Sequence, residues 1–516
     1  RDLMLRLLPF PGGPSRLLRR GPLLARRLLC AAMADCPTYT KQYINGEWVE
    51  STNKGGFIDV FDSNTGKVCA RVVKGSTADT EKAVEAAFAA FPAWSRTSVE
   101  ERVGYIQKIL NEYMKRKQEV ADALQKELGA PKLFAEHVQS NMLPFHFGTL
   151  LKMAPTFKWK EELGDTTVVR EPIGVVGAIT PWNWPVNQIA AKLGPALLAG
   201  NTFVLKPSEV TPINAFLLTE AIHAAGLPKG VYNMVCGTGP ECGEVLAMHP
   251  KVDMVSFTGS TNVGRHLHAL GASTIKRVRT ELGGKSAAVI LPDASAQQIK
   301  MMATNVIGNT GQSCNALSRL LVHRPRYEEA VKIAKEAFEA VRVVDAGDAS
   351  GKMGDIGPLA SQIQYQKVTG FIKKGIEEGA RLVCGGLDRP EGVPESGYFV
   401  RPTVFADVHN KMTIAQEEIF GPVLVIIPYD SEEEAIDIAN DTIYGLNNAV
   451  AGKDQEHAMK VAAQLRSGQV HVNTTDGNPL APFGGYKQSG DGREWGLWGL
   501  EEVLQTKAIN KPRSKM

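Results

Sequence analysis

The chain has 516 residues, a formal net charge of +3, and 43% hydrophobic and 22% charged residues. That length exceeds one ordinary core and predicts two or three domains, while the composition excludes a mostly disordered protein. The near-neutral balance shows no basic bias towards nucleic acid, and seven cysteines without C-x-x-C spacing argue against a disulfide framework or a zinc cluster.

The first 34 residues differ from the rest. They carry seven arginines, many leucines and Asp2 as their one acid. This is the composition of a mitochondrial or plastid transit peptide, although "PGGP" interrupts a continuous helix. The competing expectation is upstream sequence, with Met33 as the start of a cytoplasmic protein. No later window reaches the roughly 18 unbroken apolar residues of a membrane span.

From Tyr39 the chain reads as an α/β protein. "KQYINGEWVES" has the form of a hairpin with Asn45-Gly46 at its turn. Two helical patterns follow, the second opening with Ser98 and Glu101 in capping-box spacing. "TFKWKEELGDTTVVREP" alternates polar and apolar residues, which predicts an exposed hairpin whose edge needs a partner. Then apolar strands alternate with helices: "GVVGAIT", "TFVLKP", "VYNMVCG" and "DMVSFTG" each precede a helical run. This order predicts a parallel, helix-covered sheet of the nucleotide-binding kind. "SAAVIL", "RLLVHR", "VLVIIPY", "NAVAG" and "VHVN" predict a second buried sheet.

Several short stretches could carry chemistry. "CGTGPECG" and "FTGSTNVG" are glycine-rich turns between strand and helix, where backbone N–H groups can approach a pyrophosphate. Neither matches G-x-G-x-x-G, and each also reads as a plain turn. "GGKS" is no P-loop, because Arg279 stands where that motif needs glycine. "TFVLKPSEV" ends a strand in Lys206 and Glu209, a cation and a carboxylate suited to a ribose. "TPWNWPVNQ" holds Asn183 in a loop stiffened by Pro181 and Pro185. Glu281 precedes a Gly-Gly pair, Glu417 and Glu418 precede a Gly-Pro turn, and Cys314 lies in "NTGQSCNALSRL". A lone cysteine is more often packing than chemistry.

Taken in order, Asn183, Lys206 with Glu209, "FTGS", Glu281 with "LGGK", Cys314 in "GQSC", Glu418 in "EEIFGP" and "PFGGYKQSG" closely resemble the NAD(P)-dependent aldehyde dehydrogenase superfamily. The likeness runs from about residue 40 to about residue 510. It implies a Rossmann-like cofactor domain (38–149 and 172–281), a catalytic domain (282–482) and a small β bridging element for oligomerisation (150–171 and 490–512). It implies Cys314 as nucleophile, Asn183 as oxyanion donor and Glu281 as the base that hydrolyses a thioester. Glu281 favours hydrolysis to a free acid; the alternative is a CoA-acylating semialdehyde dehydrogenase, a branch that lacks a glutamate there. Cofactor contacts implied are Ile179, Trp182, Lys206, Glu209, Gly239, Gly243, Ser260, Leu282, Glu418 and Phe420, with Glu209 favouring NAD over NADP. Trp184 and Gln188 would line the aldehyde channel, where Asn187 and Gln188 hint at a small or polar aldehyde. Arg319 and Arg493 are candidates to grip a substrate carboxylate. In relatives the bridging hairpin and "EEVLQTKAI" pair across subunits, giving a homodimer or homotetramer. A non-catalytic structural role on the same fold, or recruitment to RNA, are the alternatives from other classes. No metal is implied.

Overall fold

The structure is a computed structural model that describes residues 36–512. The expected leader, residues 1–34, lies outside the described residues. Among those residues no helix is long and apolar enough to cross a membrane.

The alternating pattern forms one seven-stranded sheet in the order Arg277–Glu281, Met254–Thr258, Val175–Ile179, Thr202–Lys206, Tyr232–Met234, Lys41–Ile44 and Glu47–Glu50. The first five strands are parallel. The last two are the predicted hairpin, added antiparallel to the edge. Its turn residues Asn45 and Gly46 have φ 55° and 77°, the left-handed pair that a two-residue hairpin requires. The strands at the sheet centre are buried on both faces, which explains why they read as continuous apolar runs.

Helix Pro185–Ala199 covers this sheet, and every one of its 15 residues is buried. Pro185 opens it at a position that needs no N–H donor, and Gly200 ends it at φ 93°. A helix enclosed all round must find partners for its polar side chains. That makes Asn187, Gln188 and Lys192 conspicuous.

A second seven-stranded sheet runs Arg381–Cys384, Thr403–Ala406, Val423–Tyr429, Arg319–His323, Ala287–Ile290, Asn447–Ala451 and Gln469–Val472. All pairs are parallel except the first. The chain then returns: Gly490 bridges Glu281 and Phe483 bridges Glu494. Segment 483–494 therefore lies against the edge strand of the first sheet.

Two expectations change in detail. Ser98 caps its helix by accepting from Glu101 N–H at 3.1 Å, while the reciprocal box forms at Ser76 with Asp79. The predicted exposed hairpin is Lys160–Leu163 with Thr166–Pro172. Its open edge is covered within the same chain by Leu504–Asn510, antiparallel over the whole length of that strand. The resemblance implied pairing across subunits; the strand is long enough and close enough in this chain to pair at home.

Candidate active site

Cys314 follows a short helical stretch, Asn305–Gly311, whose end departs from helical geometry. Asn309, Thr310 and Gly311 have φ 54°, 56° and 72°. A β-branched residue in the left-handed region is strained, and such strain persists only where the surroundings impose it. They do so here through hydrogen bonds. Asn309 Nδ2 donates to the carbonyls of Asn183 (3.0 Å) and Gln312 (3.1 Å), and Gln139 Nε2 donates to Asn183 O and to Asn309 Oδ1, both at 3.2 Å.

This lock joins the Cys314 loop to the Asn183 loop. Asn183 Nδ2 donates to Gln312 O at 2.9 Å, and Trp184 Nε1 donates to Ser313 Oγ at 2.9 Å. The amide of Asn183 is thus held beside the two residues that precede the thiol. Gly284 packs on the other side, where a methyl group would sit 2.3 Å from Cys314 O.

Between the carboxyl end of the first sheet and the amino end of the second lies a cavity of about 190 Å³. Trp182, Asn183, Ser260, Leu282, Cys314, Glu418 and Phe420 all line it, joined by Gln364 and Lys367. Glu418 is fixed by accepting the Gly284 N–H at 2.9 Å, and a methyl on Gly283 would strike its carboxylate. Phe420, at φ 62°, meets Trp182 edge-on at 5.4 Å. Seven residues singled out from sequence therefore share one wall-to-wall space.

The remaining cofactor candidates sit further along the same strand ends, outside that cavity. Lys206 is buried and its Nζ bonds the half-exposed Glu209 at 2.6 Å. Ile179 ends its strand with its side chain 3.5 Å from where a methyl on Gly243 would lie. Around Gly239 such a methyl would meet nothing within 4 Å, so the backbone there faces open space. Lys285 of "GGKS" is buried away from the cavity, without a partner among the described residues, and burial and Arg319 push its amine down to about 7.

Glu281 is placed differently from the expectation of a carboxylate facing the cleft. It does not line the cavity. A methyl on Gly484 would stand 2.7 Å from its Oε1, so its carboxylate lies against the returning segment. Both its oxygens are buried and unpartnered among the described residues. Burial and the nearby Glu494 carboxylate push its pKa well above the usual carboxylate range, keeping it protonated over a wide span of pH. Behind it, Lys192 Nζ contacts Glu494 Oε1 and donates to Thr258 Oγ1 at 2.7 Å. Lys192 was legible only as a lone charge in an apolar helix, and Glu494 had no sequence signal.

Burial likewise pushes the Cys314 thiol up, reinforced by the Glu418 and Glu281 carboxylates. The thiol's own backbone N–H is turned to favour the thiolate and offsets this in part. As arranged, the Cys314 thiol and the Glu281 carboxyl are both held towards their protonated forms.

Trp184 and Gln188 do not line the cavity. Trp184 meets Phe134 edge-on at 5.6 Å, and Gln188 is buried on the helix with its Oε1 unpartnered. Asn187 is not free to meet a ligand through its oxygen, which is 2.7 Å from His146 Nε2. Arg319 is not free to grip a substrate. Arg319 is fully buried and saturated by Lys285 O, Asn410 Oδ1, Ile438 O and Ala439 O. Arg493 donates to Gly485 O and Gly492 O. Among the described residues no cluster has the makings of a metal centre.

Known proteins place these features. A profile described as the aldehyde dehydrogenase family matches residues 48–509. A 3-succinoylsemialdehyde-pyridine dehydrogenase of a Pseudomonas species is 48% identical over 474 residues, covering 91% of this chain and 98% of its own. The crystal structure of a mutant of aldehyde dehydrogenase C from Pseudomonas syringae, in complex with NAD+ and octanal, superposes with a TM-score of 0.89 at 45% identity, covering 91% of this chain and 96% of that one. An aldehyde dehydrogenase of Mycobacterium tuberculosis in complex with NAD+ gives 0.89 at 42% identity, covering 93% and 100%. On this likeness over nearly its whole described length, the chain belongs to the aldehyde dehydrogenase family.

Proposed function

We propose that the protein oxidises an aldehyde to its carboxylic acid with NAD and water, through a covalent intermediate on Cys314. The observation that carries this reading is the shared cavity in which Cys314, Glu418 and Phe420 meet Asn183 and Ser260, the latter two at the carboxyl ends of the first sheet's parallel strands. Crevices at such strand ends are where open α/β sheets take nucleotides. The open space at Gly239 and the Lys206–Glu209 pair suit the rest of a dinucleotide.

The thiol gives its proton to water and its sulfur bonds the carbonyl carbon, breaking the carbonyl π bond, so that the oxygen takes up the negative charge. Asn183 Nδ2 and the Cys314 N–H are the donors for that oxygen, already fixed in place and so needing no reorganisation. NAD, when bound, accepts the hydride that turns the resulting thiohemiacetal into a thioester. Water then attacks the thioester carbon, the carbon–sulfur bond breaks, and the acid leaves with the thiol restored. Glu281 takes the water's proton after its carboxyl turns from the buried chamber towards Cys314. The Lys192–Glu494 pair beside that chamber stands ready to relay the proton onwards.

Two relatives suggest the range of substrates. One structure holds octanal, and one enzyme's name joins a semialdehyde to a pyridine. Oxidation without coenzyme A is tested directly by NADH formation from octanal with NAD alone; no NADH despite bound NAD contradicts the reading.

Two variants probe its parts. Asn183→Ala removes one oxyanion donor, and kcat should fall about 10²–10³-fold, as read from steady-state rates. Glu209→Gln removes the charge that repels a 2′-phosphate. Because Glu209 is half-exposed, screening limits the gain, and the NADP-to-NAD ratio of kcat/KM should rise about tenfold.

A further inference from the structure

Helix Ile213–Ala224 begins after Pro212, whose side chain can accept nothing, so the helix lacks a cap of its own. The acceptor comes from elsewhere in the chain. Glu127, the last residue of helix Val99–Glu127, is wholly buried and aims its carboxylate at that start. Its Oε2 accepts the Ile213 N–H at 2.8 Å, and its Oε1 accepts from the Asn214 backbone N–H at 3.0 Å and from Asn214 Nδ2 at 2.7 Å.

The same Asn214 amide passes the hold onwards. Its Nδ2 also donates to Thr211 O at 2.7 Å, and Thr211 Oγ1 donates to Trp182 O at 3.1 Å. Asn214 Oδ1 is buried and has no partner among the described residues. The carboxamide thus leaves its acceptor unpaired to keep both donors engaged, because a flipped amide would set its oxygen against the carboxylate. Loop 207–212 is closed by Glu127 at its far end and tied at Thr211 to Trp182, a wall of the cavity. Glu209, the partner of Lys206, rides on that loop.

Three N–H hydrogens converging on one carboxyl suit an ionised group and not a hydroxyl. Burial opposes ionisation and pushes Glu127 up to about 7, against the three donors, which lower it. The titratable groups facing it hold their protons through that range, since burial pushes Tyr39 and Cys236 each up to about 12. Beyond Cys236 stands the charged Lys206–Glu209 pair.

We propose that Glu127 is a positioning residue for the cofactor: through Asn214 and Thr211, its carboxylate fixes the loop that offers Glu209 to the adenosine ribose and braces Trp182 beside the cavity. This rests on the NAD-dependent reaction proposed above. Glu127 acts at a distance, for it lines no part of the cavity itself.

The test is the Kd for NAD of the full chain and of Glu127→Gln, titrated from about pH 5.5 to about pH 8.5. Ionised Glu127 holds the loop, so the advantage of the unmodified protein belongs to the high-pH side. The variant should bind NAD about tenfold more weakly at the upper end, and the two Kd values should converge as pH falls through about 7. A purely structural role would lower the melting temperature and leave the ratio of Kd values near one, or constant with pH; either result overturns the proposal. Should Glu127→Gln fail to fold, Thr211→Val keeps the shape and cuts only the tie to Trp182. It should raise the Kd about fivefold, and an unchanged Kd overturns the proposal. Absence of NAD binding by the unmodified protein at every pH overturns the NAD-dependent reaction itself and this inference with it.

Discussion

Cys314→Ser is expected to abolish NAD-dependent aldehyde oxidation, lowering kcat by about 10³-fold or more, while the dissociation constant for NAD stays within a few-fold. A hydroxyl is far harder to ionise than a thiol, and this site already disfavours the anion through burial and two carboxylates. Serine would therefore offer almost no nucleophile. Cofactor affinity should survive because the other walls of the cavity, Trp182, Ser260, Leu282, Glu418 and Phe420, come from different elements and do not depend on the sulfur. The loop itself is held by Asn309, Gln139 and Trp184, none of which bonds the thiol. Steady-state NADH formation and NAD titration check the two halves. Near-normal oxidation by the serine variant would remove Cys314 from the mechanism.

Glu281→Gln should separate the two chemical steps. Hydride transfer continues, giving a rapid burst of NADH, and the following steady state slows by about 10²–10⁴-fold as the thioester waits for an activated water. The pH dependence follows from the same residue. A base works only when ionised, and burial with the Glu494 charge raises the pH at which Glu281 ionises well above the ordinary carboxylate range. The unmodified enzyme's deacylation rate should climb as pH rises through that raised value and fall away below it. In the glutamine variant that climb disappears. A burst followed by an undiminished steady state would assign the base elsewhere.

Much of the fold was legible because local chemistry decided it. Strands such as Val175–Ile179 and Thr202–Lys206 are enclosed on both faces and so are apolar at every position, and Asn45-Gly46 can hardly be anything but a hairpin turn. Arg381–Cys384 and Thr403–Ala406 were missed. The first is a partly exposed, bulged edge strand with little apolar signal, and the second is only four residues long. Sheet order was not legible, since it depends on which strand each crossover reaches.

The active site divides in the same way. Cys314, Asn183 and Glu418 lie in short loops at strand ends, where their own segments place them. The direction of Glu281 is set by Gly484 and Gly492 some two hundred positions later, and Lys192 meets Glu494 across 302 residues of chain. Arg319 shows the converse error. From sequence it could face a substrate, but the start of its strand lies under four acceptors that consume the guanidinium.

The central claim is a covalent thioester on Cys314, and the most direct measurement traps it. Glu281→Gln protein is mixed with NAD and octanal, acid-quenched within the NADH burst, digested and examined by mass spectrometry. An octanoyl group on the peptide containing Cys314, in proportion to the burst, is the predicted result. A burst with that peptide unmodified, or with the acyl group on another residue, would contradict it.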